Sequence, residues 1–134
     1  MNSNFYMKIA EETAKLSYCN RRKVGAVLVS PDGRNIIAYG FNGTISGIPN
    51  ICELPDGTTD NKHVLHAETN AIMKAARDGD PTEKAILYVT LSPCVECAKL
   101  IIQAGIATVF YIEEYKNTDG IDILRKGGVK VWTY

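Results

Sequence analysis

The chain has 134 residues, and 46% of them are hydrophobic, so it can bury the core of one domain and we predict a single domain over residues 1–134. Lysine plus arginine number 15, as do aspartate plus glutamate, and this balance argues against a surface that holds long nucleic acids. No basic stretch followed by an apolar core opens the chain, and no apolar run approaches the roughly 20 residues of a membrane span. We therefore expect a soluble, cytoplasmic protein.

The N-terminal part of the chain predicts a helix, two strands and a long loop. The amphipathic helix places Phe5, Ile9 and Leu16 near one face. The two strands read as a hairpin because the turn residues Pro-Asp-Gly at 31–33 separate them. A loop of this length in a small domain is usually functional or disordered. In chain order, these elements are a helix over 5–18, strands over 24–30 and 35–40, and a loop over 41–64.

The second half of the chain alternates predicted helices and strands. Gly79 and Gly105 are stop signals behind two of the helices. The elements are a helix over 65–79 with Ala71, Ile72, Ala75 and Ala76 facing inward, a strand over 85–90, a helix over 94–104, a strand over 108–112, a short helix over 119–126 and a strand over 129–132. This order predicts an α/β layer fold with parallel strands across the helical crossovers.

The stretch LSPCVEC, residues 91–97, lies at the junction of a predicted buried strand and a helix. Cys94 and Cys97 are three residues apart, so both sulfurs face one side of the first helical turn. A helix N-terminus favours the thiolate form. The pair is compatible with a thioredoxin-type redox couple or with half of a tetrahedral zinc site. A disulfide is disfavoured, because four cysteines in a reducing compartment seldom form a disulfide framework.

A second motif, His66-Ala67-Glu68, stands at the start of another predicted helix. One histidine and two cysteines give zinc three ligands and leave a fourth position open for water, which is the catalytic arrangement. Glu68 then stands beside the metal without binding it and is free to move a proton. His66 with Cys94 and Cys97 therefore favours a catalytic zinc site, although either motif alone would be a weak signal.

The chain resembles the cytidine/deoxycytidylate deaminase superfamily, and within it the deoxycytidylate (dCMP) deaminases. The resemblance rests on RRKVGAVLV, GFNGT, HAETNAIMKAA, YVTLSPCVECAKLIIQAGI and VFYIEEY, which include the H-x-E and P-C-x-x-C pattern of zinc deaminases. It implies a three-layer α/β/α fold with a mixed sheet of about five strands. It also implies zinc held by His66, Cys94 and Cys97, with Glu68 as the proton carrier. The implied reaction converts dCMP to dUMP and ammonia, and it supplies dUMP for thymidylate synthesis.

The resemblance also implies substrate contacts. Asn42 is similar to the family asparagine that contacts the sugar, and the family reads the ring edge with backbone near the metal motifs, here Ala67 and residues 90–92 including Ser92. Tyr115 lies where a family tyrosine reaches the substrate. The GYNGTP loop of dCMP deaminases is altered at two positions, Phe41 and Ile45. Candidates for binding the phosphate are Arg21, Arg22, Lys23, Tyr115 and Lys116. For the first three, the alternative is a basic turn that is simply exposed to solvent. Arg125 is expected to be inert.

Many dCMP deaminases are homohexamers that dCTP activates and dTTP inhibits, with Mg²⁺ on the triphosphate. The resemblance extends this expectation to the present chain, together with a homo-oligomer and the absence of nucleic-acid and membrane partners. The candidate effector contacts are Arg21, Arg22, Lys23, Gly40, Asn42, Gly43 and Thr44. Some phage relatives bind a second, structural zinc, for which Cys19, Cys52 and His63 are the residues on offer. A closed zinc site needs four ligands, so we predict that both cysteines are free and buried.

Three other functions remain open from the sequence. The chain could deaminate another substrate, such as cytidine or adenosine in tRNA, although a tRNA enzyme is expected to carry a basic surplus. A thiol redox protein would use Cys94 and Cys97 and would have no role for Glu68. A catalytically silent zinc fold would bind the metal without turnover.

Overall fold

Four helices and seven strands alternate along residues 3–134, the part of the chain that this computed structural model describes. The predicted domain begins at Met1, so its first two residues lie outside the described range. None of these helices combines the length and the apolar composition that a membrane span requires. The elements are α1 (Ser3–Ala14), β1 (Gly25–Val29), β2 (Ile36–Phe41), β3 (Gly43–Thr44), β4 (Val64–Leu65), α2 (Ala67–Asp78), β5 (Ile86–Leu91), α3 (Val95–Gln103), β6 (Thr108–Glu113), α4 (Asp119–Lys126) and β7 (Lys130–Thr133).

Five strands form one mixed sheet in the order β2-β1-β5-β6-β7. Strand β1 pairs antiparallel with β2 and β5, whereas β5, β6 and β7 are parallel. Val27 and Val29 of β1 pack with α1 on one face, and Ala26 and Leu28 pack with the α2 side on the other. All five residues of β1 are buried, since a strand covered on both faces needs an uninterrupted apolar run. The predicted three-layer fold with a mixed five-stranded sheet is confirmed.

The first helix differs from its prediction in length and in orientation. It ends at Ala14, not at residue 18, and Phe5 and Leu16 are more than half exposed. The face that packs on the sheet carries Tyr6 and Met7, and Ile9 is only partly buried at its margin. The apolar period therefore predicted the helix but not the face that it buries. On α2, similarly, the expected inward residue Ala76 is exposed, whereas Ala71, Ile72 and Ala75 are buried.

The long segment over 41–64 carries β3 and the first residue of β4, and these two strands form a short antiparallel pair that the sequence did not predict. Thr44 is held by Tyr18, whose hydroxyl accepts from the Thr44 amide at 2.9 Å and lies 2.7 Å from its side-chain oxygen. These contacts join positions 26 apart, so no local hydrophobic periodicity in the sequence predicts them. The other predicted elements are present, with ends shifted by one or two residues.

Two glycines allow the helices to approach the segments that carry the metal motifs. A Cβ on Gly40 of β2 would lie 2.5 Å from the Ala67 carbonyl oxygen and 2.6 Å from the Ala71 amide nitrogen. A Cβ on Gly120 of α4 would lie 2.0 Å from the Pro93 carbonyl oxygen. Both neighbours are backbone atoms and cannot swing aside. The starts of α2 and α3 are thus set by close backbone packing.

Candidate active site

Three potential metal ligands meet at the starts of α2 and α3. His66 and Cys94 each occupy the position before the first turn, where extended backbone turns their side chains towards each other. Cys97 follows within the first turn of α3. The Nδ1 atom of His66 lies 3.4 Å from the sulfur of Cys94 and 3.4 Å from that of Cys97. The sheet brings the motifs together because α2 follows the β1–β2 hairpin and α3 follows the neighbouring β5.

This donor set fits a zinc ion. One imidazole nitrogen and two sulfurs lie within 4.8 Å of one another. Tetrahedral zinc with bonds of about 2.0–2.3 Å separates its ligand atoms by roughly 3.5 Å, close to the spacing seen here. Both cysteine sulfurs lie within hydrogen-bonding distance of His66 Nδ1. The hydrogen bond between the two cysteine side chains lowers the pKa of Cys94 and raises the pKa of Cys97.

Glu68 lies in the first turn of α2 and is only 4% exposed. Its burial is the main reason that its pKa is raised to about 7. The neighbouring His66 has a raised pKa as well, chiefly through its hydrogen bond with Cys94. A buried carboxyl group beside a metal-ligand cluster, with a pKa near neutrality, is suited to accept and donate a proton.

A cavity of about 710 Å³ opens beside this cluster. Its inner wall contains His66, Glu68 and Cys94, and its outer rim comes from three loops. The loop before β1, the segment around Thr59 and the segment after β6 supply this rim. A volume of this size is within the range of small-molecule sites, which is about 300–1,000 Å³.

The structure brings several of the predicted substrate contacts to the cavity. Of the predicted residues, those that line it are Arg21, Arg22, Asn42, Ala67, Ser92, Tyr115 and Lys116. Ser92 is buried, and its hydroxyl oxygen accepts from the Tyr115 amide at 2.7 Å, which fixes the segment after β6. Thr90, by contrast, accepts from the Gly25 amide at 3.1 Å, and its side chain stabilises the sheet.

Other predicted residues lie away from the cavity lining. The Lys23 ammonium donates to the Ser17 carbonyl. Gly40 packs under α2, and Gly43 with Thr44 contacts Tyr18. Arg125 is exposed and donates to the Val131 carbonyl at 3.4 Å.

Some lining residues were not predicted. Glu113 ends β6 and Glu114 follows it directly, and Thr59 and Asn61 belong to the long loop. A usable signal existed for the first two, because ligands of α/β sheets bind at the carboxyl ends of parallel strands. Nothing local in the sequence distinguishes Thr59 or Asn61 from other loop residues.

The prediction that Cys19 and Cys52 are free is wrong. Their sulfurs are joined in a disulfide that bridges 33 positions of sequence, from the loop before β1 to the long loop. Glu53 is the third group that lies near both sulfurs, not His63. The ring of His63 instead lies 2.8 Å from the carboxylate of Asp60. A disulfide leaves these cysteines without thiolates for a metal.

Comparison with known proteins agrees with this geometry. Residues 1–113 match the family model described as the cytidine and deoxycytidylate deaminase zinc-binding region. The chain belongs to the cytidine and deoxycytidylate deaminase family. It is also similar to the crystal structure of dCMP deaminase from cyanophage S-TIM5 in complex with dCMP and dUMP. That similarity has 47% identity and a TM-score of 0.93, over 98% of this chain and 95% of that one.

Two curated proteins are similar to this chain over different shares of their own length. Deoxycytidylate deaminase of Enterobacteria phage T4 is 36% identical, over 98% of this chain and 89% of the phage protein. ComE operon protein 2 of Bacillus subtilis is 40% identical, over 86% of this chain and 61% of the bacterial protein. The present chain thus spans most of the phage protein but less than two thirds of the bacterial one.

Proposed function

We propose that this chain is a zinc-dependent hydrolase that converts dCMP and water to dUMP and ammonia. The observation that carries the proposal is the buried Glu68 carboxyl group beside the His66, Cys94 and Cys97 donors, on the wall of a nucleotide-sized cavity. The similarity to phage dCMP deaminases supports dCMP as the substrate. The same similarity supports the metal, because the matched family region is a zinc-binding one.

His66, Cys94 and Cys97 would hold the zinc ion through one nitrogen and two sulfurs. Bound zinc lowers the pKa of water and so supplies a nucleophile at neutral pH. Two thiolates and a neutral imidazole would offset the charge of the zinc ion and leave the site near neutral. The protein must therefore provide a base close to the attacking water.

Glu68 provides that base in the proposed mechanism. Its carboxylate takes a proton from the attacking water as the oxygen bonds to C4 of the cytosine ring, and it passes this proton to ring nitrogen N3. Glu68 then delivers the second proton of the water to the amino group, which leaves C4 as ammonia. Burial favours this exchange, since it brings the pKa of Glu68 to about 7.

The surrounding backbone orients the pyrimidine ring. Ala67 and Ser92 are both buried and line the cavity next to the metal ligands. We assign their backbone groups to the ring edge and Asn42 and Tyr115 to the sugar side. We propose that the product dUMP supplies thymidylate synthesis.

Regulation is a separate part of the proposal and rests on the family resemblance. It comprises activation by dCTP, inhibition by dTTP, Mg²⁺ on the triphosphate and a homohexamer. The experiment is to assay dCMP with each triphosphate and Mg²⁺ while the molar mass is measured by light scattering. A monomer whose rate ignores both triphosphates would contradict this part and leave the chemistry untouched.

The main test is the ultraviolet loss of the cytosine band with purified protein and four substrates: dCMP, dCTP, deoxycytidine and CMP. We expect dCMP to be turned over with the highest kcat/KM. Preference for deoxycytidine would redirect the proposal to a nucleoside deaminase. Absence of turnover with zinc bound would contradict it and would favour another substrate class or a silent zinc fold.

A further inference from the structure

The rim of the cavity carries charges of both signs. Its cations are Arg21, Arg22 and Lys116, and its carboxylates are Glu113 and Glu114. The Tyr111 hydroxyl donates to Glu114 at 3.0 Å, which holds that carboxylate near the end of its own strand. Glu113 instead forms an ion pair with Arg22. The cavity thus contains one cation that already has an anion beside it.

This ion pair joins the loop before β1 to the end of β6, across the end of β5. Arg22 precedes β1 and Glu113 ends β6, while β5 lies between these strands in the sheet. Leu91 at the end of β5 is paired with Glu113, and the next residue, Ser92, donates its amide to the Glu113 carbonyl at 2.8 Å. The Arg22–Glu113 pair therefore spans the carboxyl end of β5, beside the segment that leads to Cys94.

The backbone of Arg22 is fixed, whereas its side chain has freedom. Asn42 donates its side-chain amide to the Arg22 carbonyl at 2.7 Å and accepts from the Val24 amide at 2.9 Å. This clamp places Arg22 on the cavity rim. The side chain of Arg22 is 51% exposed, and within residues 3–134 its only polar partner is Glu113, which is 68% exposed.

We infer that Arg22 binds the phosphate group of the nucleotide and that Glu113 occupies this anion position until the nucleotide displaces it. The inference rests on the proposed function and adds a residue that selects nucleotides over nucleosides. The guanidinium group can donate two parallel hydrogen bonds to a phosphate. A phosphate monoester carries up to two negative charges near neutral pH, so it competes well with a single exposed carboxylate.

Lys23 and Arg21 are weaker candidates for this role. The Lys23 ammonium is engaged by the Ser17 carbonyl, away from the cavity lining. Arg21 lines the cavity, but among residues 3–134 no ion pair of its side chain marks a binding position for an anion. The ion pair with Glu113 distinguishes Arg22, because it shows that an anion fits against this guanidinium at the cavity wall.

The test compares dCMP with deoxycytidine, which lacks the phosphate, in wild type, Arg22→Gln and Glu113→Gln. The control is Arg34→Gln, which removes the same charge in the turn between β1 and β2, at the other end of β1. We expect Arg22→Gln to raise KM for dCMP about tenfold or more and to leave kcat/KM for deoxycytidine within about twofold. Glu113→Gln removes the competing carboxylate and is expected to lower KM for dCMP about two- to fivefold.

Calorimetric binding of dUMP and deoxyuridine separates this inference from the proposed function. If wild type binds dUMP without deaminating dCMP, the proposed function fails while the dependence of dUMP affinity on Arg22 still tests the inference. If wild type deaminates dCMP and Arg22→Gln has an unchanged KM, or loses dCMP and deoxycytidine activity equally, only the inference fails. A KM for dCMP that rises in Glu113→Gln would also overturn the inference that the nucleotide displaces Glu113 from Arg22.

Discussion

The two sides of the cavity are built by different physical means. The inner wall holds His66, Glu68 and Cys94, and the buried Cys97 lies beside His66; each of the four stands in or just before the first turn of a helix packed on the sheet. The outer rim consists of loops that are held by hydrogen bonds between side chains and backbone. Asn42 clamps the Arg22 segment in this way.

This difference matches two different demands. Metal binding and proton transfer need donor atoms placed to within a fraction of an ångström, and regular elements supply such precision. Selection of a substrate needs charged and polar groups that can adjust, and loops on a rigid scaffold supply these. We therefore expect changes on the inner wall to alter chemistry or metal binding, and changes on the rim to alter stability of the loops and KM.

Glu68→Gln tests the inner wall with the largest expected effect. The amide keeps the shape of the side chain but cannot carry the proton, so kcat for dCMP should fall about 10³-fold or more. Zinc content per chain, measured by elemental analysis, should stay at the wild-type value because Glu68 is not a ligand. Near-normal turnover in this variant would refute the assignment of Glu68 as the base.

Removal of the Cys19–Cys52 bridge tests the rim. A bridge over 33 positions stabilises the fold by about 3–4 kcal/mol in the chain-entropy model, so Cys52→Ser should lower Tm by roughly 10 °C. The inner wall does not depend on this bridge, and one zinc per chain should remain bound.

Reductant provides the control for the bridge. Reductant should lower the Tm of the wild type and leave the Tm of Cys52→Ser unchanged. Two zinc ions per chain in the wild type, or a Tm that ignores reductant, would show that these cysteines are not joined in solution.

The inner wall could be predicted from the sequence, and so could several residues of the rim, but not the contacts between the rim residues. The proposed metal ligands follow from local spacing, because Cys94 and Cys97 are three residues apart and His66 stands two before Glu68. The Arg22–Glu113 pair joins positions 91 apart, and its partners meet only through the order of the strands.

The same limit explains the errors in the fold. Amphipathic periodicity located α1, but whether Phe5 or Tyr6 is the buried aromatic residue depends on the residues against which the helix packs. Tyr6 packs in the cluster with Tyr88 of β5, and its hydroxyl donates to the Gly33 carbonyl at 2.8 Å. These partners are distant in sequence, so the helix period alone could not rank the two aromatic residues.

Gly40→Ala tests whether close backbone packing positions the inner wall. The new Cβ would meet two backbone atoms of α2 at 2.5 and 2.6 Å, so α2 must move away from β2. We expect a loss of about 2 kcal/mol in the free energy of unfolding, together with weaker zinc binding, because His66 moves with the helix.

The matched control for this change is Gly47→Ala in the loop between β3 and β4. Gly47 has a φ of 92° and would place its Cβ in open space, so the variant experiences backbone strain without a clash. We expect a cost of about 1 kcal/mol and unchanged zinc affinity. Denaturant unfolding and chelator competition measure the two quantities. Equal zinc affinity in Gly40→Ala and wild type would contradict the positioning role of the packing.

Thr69→Val is the mildest change and tests how the inner wall supports its metal ligands. The Thr69 hydroxyl lies 3.7 Å from the Cys97 sulfur, within reach of a weak hydrogen bond. A donor to a ligand sulfur stabilises the thiolate that a metal requires, so its removal should weaken zinc binding about tenfold, measured by competition with a chelator. Thr69→Ser keeps the hydroxyl and should retain the wild-type affinity. If serine and valine weaken binding equally, the methyl group of Thr69 matters through packing and the hydroxyl has no part in holding the metal.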